Sequence, residues 1–348
     1  MSTLTRRFYF VPAVLVAALA AGYALLWAFA AHRMEEGFRN WTQVQATHGH
    51  SIEHGPLSVS GFPGPIKLTI DAPRYAGAKT GWQWSAERAD LEMRPWDWWT
   101  YRLDVFGTHR FAVPDGAGQL LLTARPATAF VVAEIDGRGR VSRAALHADG
   151  LQLNDAEGTE LLAAAQMRGT AQMSDADVAA HDRTSLDLTL QATDVTLGPP
   201  IQSPLGARLA EVGLAAAVRG ALPETLQRDA VDAWRQDGGT VDLTHLYLTW
   251  GALELRANGT VTLDERLRPL GALSAEIKGY GETLTALEQA RILPRRAAAG
   301  SRIALDLLSR SDGNARRVVT VPISAQNGAL FLGPVRMVRL EPIPFPAR

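Results

Sequence analysis

The chain has 348 residues, a formal charge of −1 and no cysteine. That composition excludes disulfides, thiolate metal centres, cysteine nucleophiles and a lipidated N-terminal cysteine. Near-neutral charge argues against a nucleic-acid footprint, which needs a clustered basic face, while the length suffices for a sizeable core.

The first element is a charge-free run from Phe8 to Ala31, preceded by Arg6 and Arg7. About 20 apolar residues cross the hydrocarbon core of a bilayer. The two arginines sit where a cytoplasmic end is expected, which leaves residues 1–7 as a cytoplasmic stub and sends the rest outward. Tyr23, Trp27 and Phe29, with Phe8 at the other end, read as interfacial anchor residues. A second reading is a cleaved signal peptide, since Ala28-Phe29-Ala30 has the small-x-small pattern; the run is, however, longer than a secretory core of about 7–15 residues. The expectation is a single-pass protein of the inner membrane, N-terminus cytoplasmic and bulk periplasmic, with the membrane as its first partner.

Residues 32–54 form a membrane-proximal connector, helical over Met34–Thr47, where Met34, Phe38, Trp41 and Val44 recur at helical spacing. From residue 55 to 348 the period changes to two. Leu57/Val59, Ile66/Leu68/Ile70, Trp82/Trp84, Leu91/Met93 and Leu103/Val105 alternate as half-buried strands do. Leu120/Leu122, Phe130/Val132, Leu146/Ala148, Leu151/Leu153, Leu186/Leu188/Leu190 and Val195/Leu197 continue the pattern, with a turn at Asp136-Gly137-Arg138-Gly139. Asp175–His181 reads as a short helix. Pro223–Gln236 is a clearer one: proline suits its first turn, Leu226, Ala230, Val231 and Trp234 share a face, and Gly238-Gly239 stops it.

Strands resume at Val241/Leu243, Leu246/Leu248/Trp250, Leu253/Leu255 and Val261/Leu263. Glu282–Leu293 reads as a helix ended by Pro294. Ile303/Leu305/Leu307, Val319/Val321, Leu330/Leu332 and Val335/Met337 read as closing strands. Asp312–Arg317 reads as a polar hairpin loop. The fold class expected is mainly β: a transmembrane helix, then an elongated, curved, groove-like antiparallel meander with two or three short helices. A division into two lobes would fall near residues 200–240.

Motifs for chemistry are sparse. His48, His50 and His54, with Glu53, form the one histidine cluster, which reads as solvated linker rather than metal site. The sequence contains no Gly-x-Ser-x-Gly, His-Glu-x-x-His or phosphate-cradling loop. Ser60 reads as a strand-end serine, and Asp71, Asp90, Asp104, Asp187 and Asp194 as solvent-facing strand positions. The tryptophans Trp82, Trp84, Trp96, Trp98 and Trp99 fit a core rim or an amphiphile-facing belt. No catalytic residue, cofactor or metal is expected. Leu68, Ile70, Trp82, Trp84, Leu188, Leu248 and Trp250 are the residues expected to line an apolar groove.

Several phrases resemble an uncharacterised alphaproteobacterial family, "domain of unknown function 2125". They are Gly55-Pro56-Leu57-Ser58-Val59-Ser60-Gly61-Phe62-Pro63 after the membrane helix and Gly81-Trp82-Gln83-Trp84-Ser85-Ala86. Leu248-Thr249-Trp250-Gly251-Ala252-Leu253-Glu254-Leu255 with Gly259-Thr260 belongs with them, as does Gly328-Ala329-Leu330-Phe331-Leu332-Gly333-Pro334. These are turns and strands, and the family offers no functional residues to carry over. A wider similarity, resting on architecture, is to envelope proteins of the AsmA and TamB kind, in which one membrane helix joins periplasmic β-sheets curved into an apolar groove for lipid. The resemblance implies a non-enzymatic envelope protein that binds lipid or another amphiphile. The alternatives are an assembly partner of other envelope proteins, pairing through sheet edges, and a hydrolase with a dispersed carboxylate site.

Overall fold

A computed structural model describes residues 4–77, 81–114, 119–174, 183–223, 227–311, 317–333 and 335–343. The charge-free run and the connector after it form one helix, α1, Leu4–Thr47, of 44 residues. At 1.5 Å per residue it is about 66 Å long, roughly twice a hydrocarbon core. It is the one helix among the described residues long and apolar enough to cross a membrane.

Among the described residues the rest is a single antiparallel sheet of 21 strands, interrupted by three short helices. The first ten strands are β1 (His50–Glu53), β2 (Leu57–Ser60), β3 (Ile66–Asp71), β4 (Arg74–Gly77), β5 (Gln83–Ser85), β6 (Arg88–Arg94), β7 (Asp97–Phe106), β8 (His109–Pro114), β9 (Gln119–Arg125) and β10 (Thr128–Ile135). Next come β11 (Val141–Asn154), β12 (Glu160–Met173), β13 (Thr184–Leu197) and β14 (Arg208–Arg219), each 12 or 14 residues long. Helix α2 (Arg228–Gln236) leads to β15 (Thr240–Trp250), β16 (Leu253–Leu263) and β17 (Pro269–Lys278). Helices α3 (Tyr280–Gln289) and α4 (Arg295–Leu308) precede β18 (Arg310–Ser311), β19 (Arg317–Gln326), β20 (Ala329–Leu332) and β21 (Val335–Arg339).

From β11 onward the sheet is a meander in chain order to β17, then β19, β20 and β21. Before β11 it forks. One edge of that strand pairs with β10 over residues 141–149 and with β9 over residues 152–154. The β10 branch continues through β7, β6 and β3 to β2, and the β9 branch through β8, β5 and β4 to β1. Gly150 lies at the fork with φ +59, and a Cβ there would stand 3.0 Å from that of Ala127. A left-handed, side-chain-free residue lets one strand serve two branches.

The cores lie where helices meet the sheet. Ala30, Ala31 and Met34 of α1 cover Ile66, Leu68, Ile70, Ala89 and Met93; the small alanines let helix and sheet approach closely. At the far end, Tyr280 of α3 and Leu305 of α4 pack on Ala257, Ala275, Ile277, Val319 and Val321.

Several expectations are corrected. Ile303, Leu305 and Leu307 belong to α4, not to a strand: Leu305 packs inward while Ile303 and Leu307 are exposed. Pro294 is the N-cap of that helix, and the preceding helix ends at Gln289, not at Leu293. Helix α3 begins at Tyr280 rather than Glu282, and α2 at Arg228 rather than Pro223. The pairs Leu146/Ala148 and Leu151/Leu153 fuse into one strand, as do Leu186–Leu190 with Val195/Leu197, Val241/Leu243 with Leu246–Trp250, and Leu253/Leu255 with Val261/Leu263. Asp175–His181 and most of the Asp312–Arg317 loop lie outside the described residues.

Candidate functional site: the apolar face of the sheet

Residues directly opposite each other in an antiparallel ladder share a face, so the register traces each face across the molecule. One row runs Val59–Leu68–Leu91–Leu103–Val131–Leu146 from β2 to β11. It continues Gly169–Leu190–Leu214–Leu246–Ala257–Ala275–Val321 from β12 to β19. A flanking row carries Met167, Ala192, Val212, Leu248, Leu255 and Ile277. On the other side lie Leu188, Ala216, Leu243, Gly259 and Leu273. No charged residue interrupts these rows.

The opposite face is polar. Arg168 donates to Asp149 at 2.6 Å, Arg102 forks onto Asp104 at 2.7 Å, and Lys67 meets Glu92 at 2.7 Å. Arg168 and the Thr128 hydroxyl hold the Asp149 carboxyl below the usual carboxylate range, and the Glu92 carboxylate raises the Lys67 ammonium. Arg102 also lies 3.7 Å over the Phe130 ring, which stacks on His147. Such alternation is what a sheet with one face withheld from water requires.

Cover on the apolar face is uneven. Among the described residues the helices meet the sheet chiefly at its ends, α1 at β1–β3 and α3 and α4 at β16 and β19. Between them the face is only partly shielded: Leu188, Leu214 and Leu246 are half-buried and Leu190 is 43 % exposed. This partly shielded stretch of apolar face is the candidate site.

The expected groove residues fall in three settings. Leu68 and Ile70 lie under α1, already covered by the protein itself. Leu188 lies on the open centre, while Leu248 and Trp250 pack around Ala164, Val195 and Leu209 at one margin, with the Trp250 indole donating to the Gly206 carbonyl at 2.8 Å. Trp82 and Trp84 are on the other branch of the fork, where Ile52, Tyr75, Trp84, Phe111 and Leu122 form a row of their own. The Trp84 indole donates to Nδ1 of His109 at 3.4 Å, and burial holds that imidazole below its ordinary value despite the nearby Glu87 carboxylate. Val131, Leu146, Leu190, Leu214 and Leu246 were missed as lining residues. Their signal was present as strand alternation, but only the register puts them in one row.

Trp96, in the turn between β6 and β7, and Trp98 and Trp99, at the start of β7, are separated from the first two tryptophans. Of the anchor residues, Tyr23 and Trp27 turn out to hold the loop between β2 and β3. The Tyr23 hydroxyl donates to the Pro63 carbonyl, and the Trp27 indole to that of Gly64 at 2.9 Å. Phe29 is exposed on the helix; the side chain of Phe8 lies outside the description.

The candidate chemical groups have structural partners. His50 bonds and stacks with Tyr75, and His54 bonds the Gly55 carbonyl and lies against Phe38. No three histidine or carboxylate side chains converge among the described residues. Asp90 and Asp104 do come together across β6 and β7 on the polar face, but Lys67 and Arg88 flank the first and Arg102 clamps the second. That is the composition of a cross-strand ion-pair ladder. Asp71 lies on β3, and Asp187 and Asp194 lie seven residues apart on β13.

No curated protein matches the chain. A family model does, over residues 27–341, from within α1 to just beyond β21. The chain belongs to that family, described as "Uncharacterized protein conserved in bacteria (DUF2125)".

Proposed function

We propose that this is a membrane-anchored, non-enzymatic protein of the bacterial envelope that holds a lipid or similar amphiphile on the apolar face of its sheet. In this reading α1 crosses the inner membrane with Arg6 and Arg7 on the cytoplasmic side, and the sheet stands in the periplasm. The observation that carries the proposal is the unbroken apolar row, sealed by helices at its ends and open around Leu190. Each acyl methylene buried there contributes about 0.8 kcal/mol, so a chain of ordinary length gains affinity without any polar motif. The absence of an activity motif in the sequence agrees with a binding role.

The test is lipid extraction and mass spectrometry on the full chain purified after extensive detergent exchange, beside a Leu188→Glu/Leu214→Glu variant. Retained lipid in the wild type that falls in the variant is expected; equal amounts in both would leave only lipid around α1 and end the proposal. A second reading, an assembly partner of other envelope proteins, draws on α4, where Ile303, Leu307 and Leu308 are exposed, Leu307 by 82 %. Site-specific photocrosslinking from position 307 in cells would capture a discrete protein in that case.

A further inference from the structure

Three observations bear on how the sheet sits relative to the bilayer. The first is a docked loop. Gly61–Pro65, between β2 and β3, is tied to α1 by the hydrogen bonds from Tyr23 and Trp27, and the Phe62 ring lies 5.5 Å from Trp27, edge on, and 6.3 Å from Tyr23. The loop's shape is fixed by Gly61, whose φ is +112 and whose Cβ, if present, would lie 1.9 Å from the Pro65 carbonyl oxygen. Measured from Phe8, Tyr23 is about 22 Å and Trp27 about 28 Å along the helix, against a hydrocarbon thickness of about 30 Å. The loop is therefore fastened to the helix at the depth where it leaves the membrane.

The second observation is exposure. Phe62 is 56 % exposed although it has two aromatic neighbours, and Leu19, one helical turn before Tyr23 and so on the same side of α1, is exposed as well. Water is a poor setting for such a cluster; an interface of acyl chains and headgroups is a good one.

The third comes from register. Ile66 pairs with Met93, and Met93 with Tyr101, so the turn from β6 to β7 leaves the sheet at the same end as the Gly61–Pro65 loop. That turn carries Trp96, 67 % exposed, with the exposed Arg94 at the end of β6 before it and Trp99, 55 % exposed, at the start of β7 after it. Indoles and a guanidinium together suit the boundary between acyl chains and lipid phosphates.

We infer that the sheet end bearing Phe62, Trp96 and Trp99 is a second membrane contact, seated in the headgroup region of the leaflet from which α1 emerges. The occupant of this surface is phospholipid, because the Phe62 loop is fixed by hydrogen bonds to the membrane helix α1 and the Trp96 turn leaves the sheet at the same end as that loop. The contact rests on the reading of α1 as a retained anchor, and it deepens the proposed function: it places the β2–β3 end of the apolar face against the leaflet, so that an acyl chain need cross little water to reach it.

The cysteine-free chain suits spin labelling. Full-length protein carrying Phe62→Cys, Trp96→Cys or Trp99→Cys is labelled and placed in nanodiscs of phosphatidylethanolamine and phosphatidylglycerol. Collisional access to oxygen and to a nickel chelate is then compared with Leu19→Cys in the helix and Glu157→Cys, an exposed site on the turn at the other end of β11. Expected is an oxygen-to-nickel ratio several-fold above that of Glu157→Cys at all three sites, below that of Leu19→Cys. Aqueous values at 96 and 99 with a hydrocarbon value at 19 overturn the contact and leave the anchor standing. An aqueous value at 19 removes the anchor, and the contact with it. Protection from both reagents, unchanged on moving from nanodisc to detergent, means protein covers the patch and also overturns the inference. Should a cysteine variant fold poorly, quenching of the intrinsic fluorescence by headgroup-proximal brominated lipid gives the same reading: it is expected to weaken in Trp96→Phe/Trp99→Phe and is overturned if it does not.

Discussion

Leu68 and Leu190 lie in the same row of the same sheet face, and one is fully buried while the other is 43 % exposed. Strand alternation put both on the apolar side; what differs is cover. Over Leu68 sit Ala30, Ala31 and Met34 of α1, whereas over Leu190 no helix is packed among the described residues. The covered end has converted its apolar area into stability, at about 25 cal/mol per Å² removed from water. The open centre has the same kind of area and has not. Identical side chains thus hold the fold at one place and stand available to a ligand at another.

The sharpest way to break this comparison is to truncate the covered leucine. Leu68→Ala removes a fully enclosed side chain between helix and sheet, and a loss of about 2–5 kcal/mol is expected, measured by denaturant unfolding of the detergent-solubilised chain. A loss below about 1 kcal/mol would mean that α1 does not seal this end in solution. Next in size is Trp27→Phe, which keeps a ring against Phe62 but deletes the hydrogen bond to the Gly64 carbonyl. It should cost about 1 kcal/mol and increase proteolysis within Gly61–Pro65. Unaltered cleavage would show that the loop is held by something other than α1.

How much of this was legible follows from the range of each signal. The helix from Phe8 onward and most strand faces are local patterns, and they are where the sequence puts them. Strand length was not legible, because bulges hide it: at Leu243–Leu246 the register shifts and the alternation skips, while the backbone ladder to β14 and β16 carries on. Strands β12 and β14 escaped notice because their alanines have little β preference; neighbours on both sides supply the pairing that their side chains do not. The five residues Ile303–Leu307 alternate by accident within a helical stretch. For the site, alternation identified apolar positions but not their cover. That Leu68 would be roofed by α1 and Leu190 left open is a long-range fact, and so is the division of five tryptophans between two branches of a fork.

The β9 branch sharpens the comparison through pH. His109 is buried, accepts the Trp84 indole at Nδ1 and is therefore neutral in the fold. Burial lowers its pKa from the ordinary 6.5. The unfolded chain takes up this proton first as pH falls, so the histidine's contribution is complete above about pH 6.5 and is lost progressively below it, towards the folded value. His109→Gln keeps an acceptor for Trp84 without a titrating group. Its unfolding midpoint should fall less between pH 7 and pH 5 than that of the wild type, and parallel curves would exclude His109 as the acid-sensitive point of this branch.

The smallest expected change in stability is at Leu190, and it is the most telling for function. Leu190→Glu puts a carboxylate on the open centre, where it keeps its water, so the unfolding free energy should move by about 0.5 kcal/mol or less, as at an ordinary surface site. If the face is also unoccupied in the cell, nothing else should change. If an acyl chain lies there, the same carboxylate must lose hydration against hydrocarbon, which costs several kcal/mol, and retained lipid should drop although the fold is intact. A destabilisation as large as that of Leu68→Ala would instead place Leu190 in a closed core. The open centre would then be a second covered end, and the difference between the two leucines would disappear.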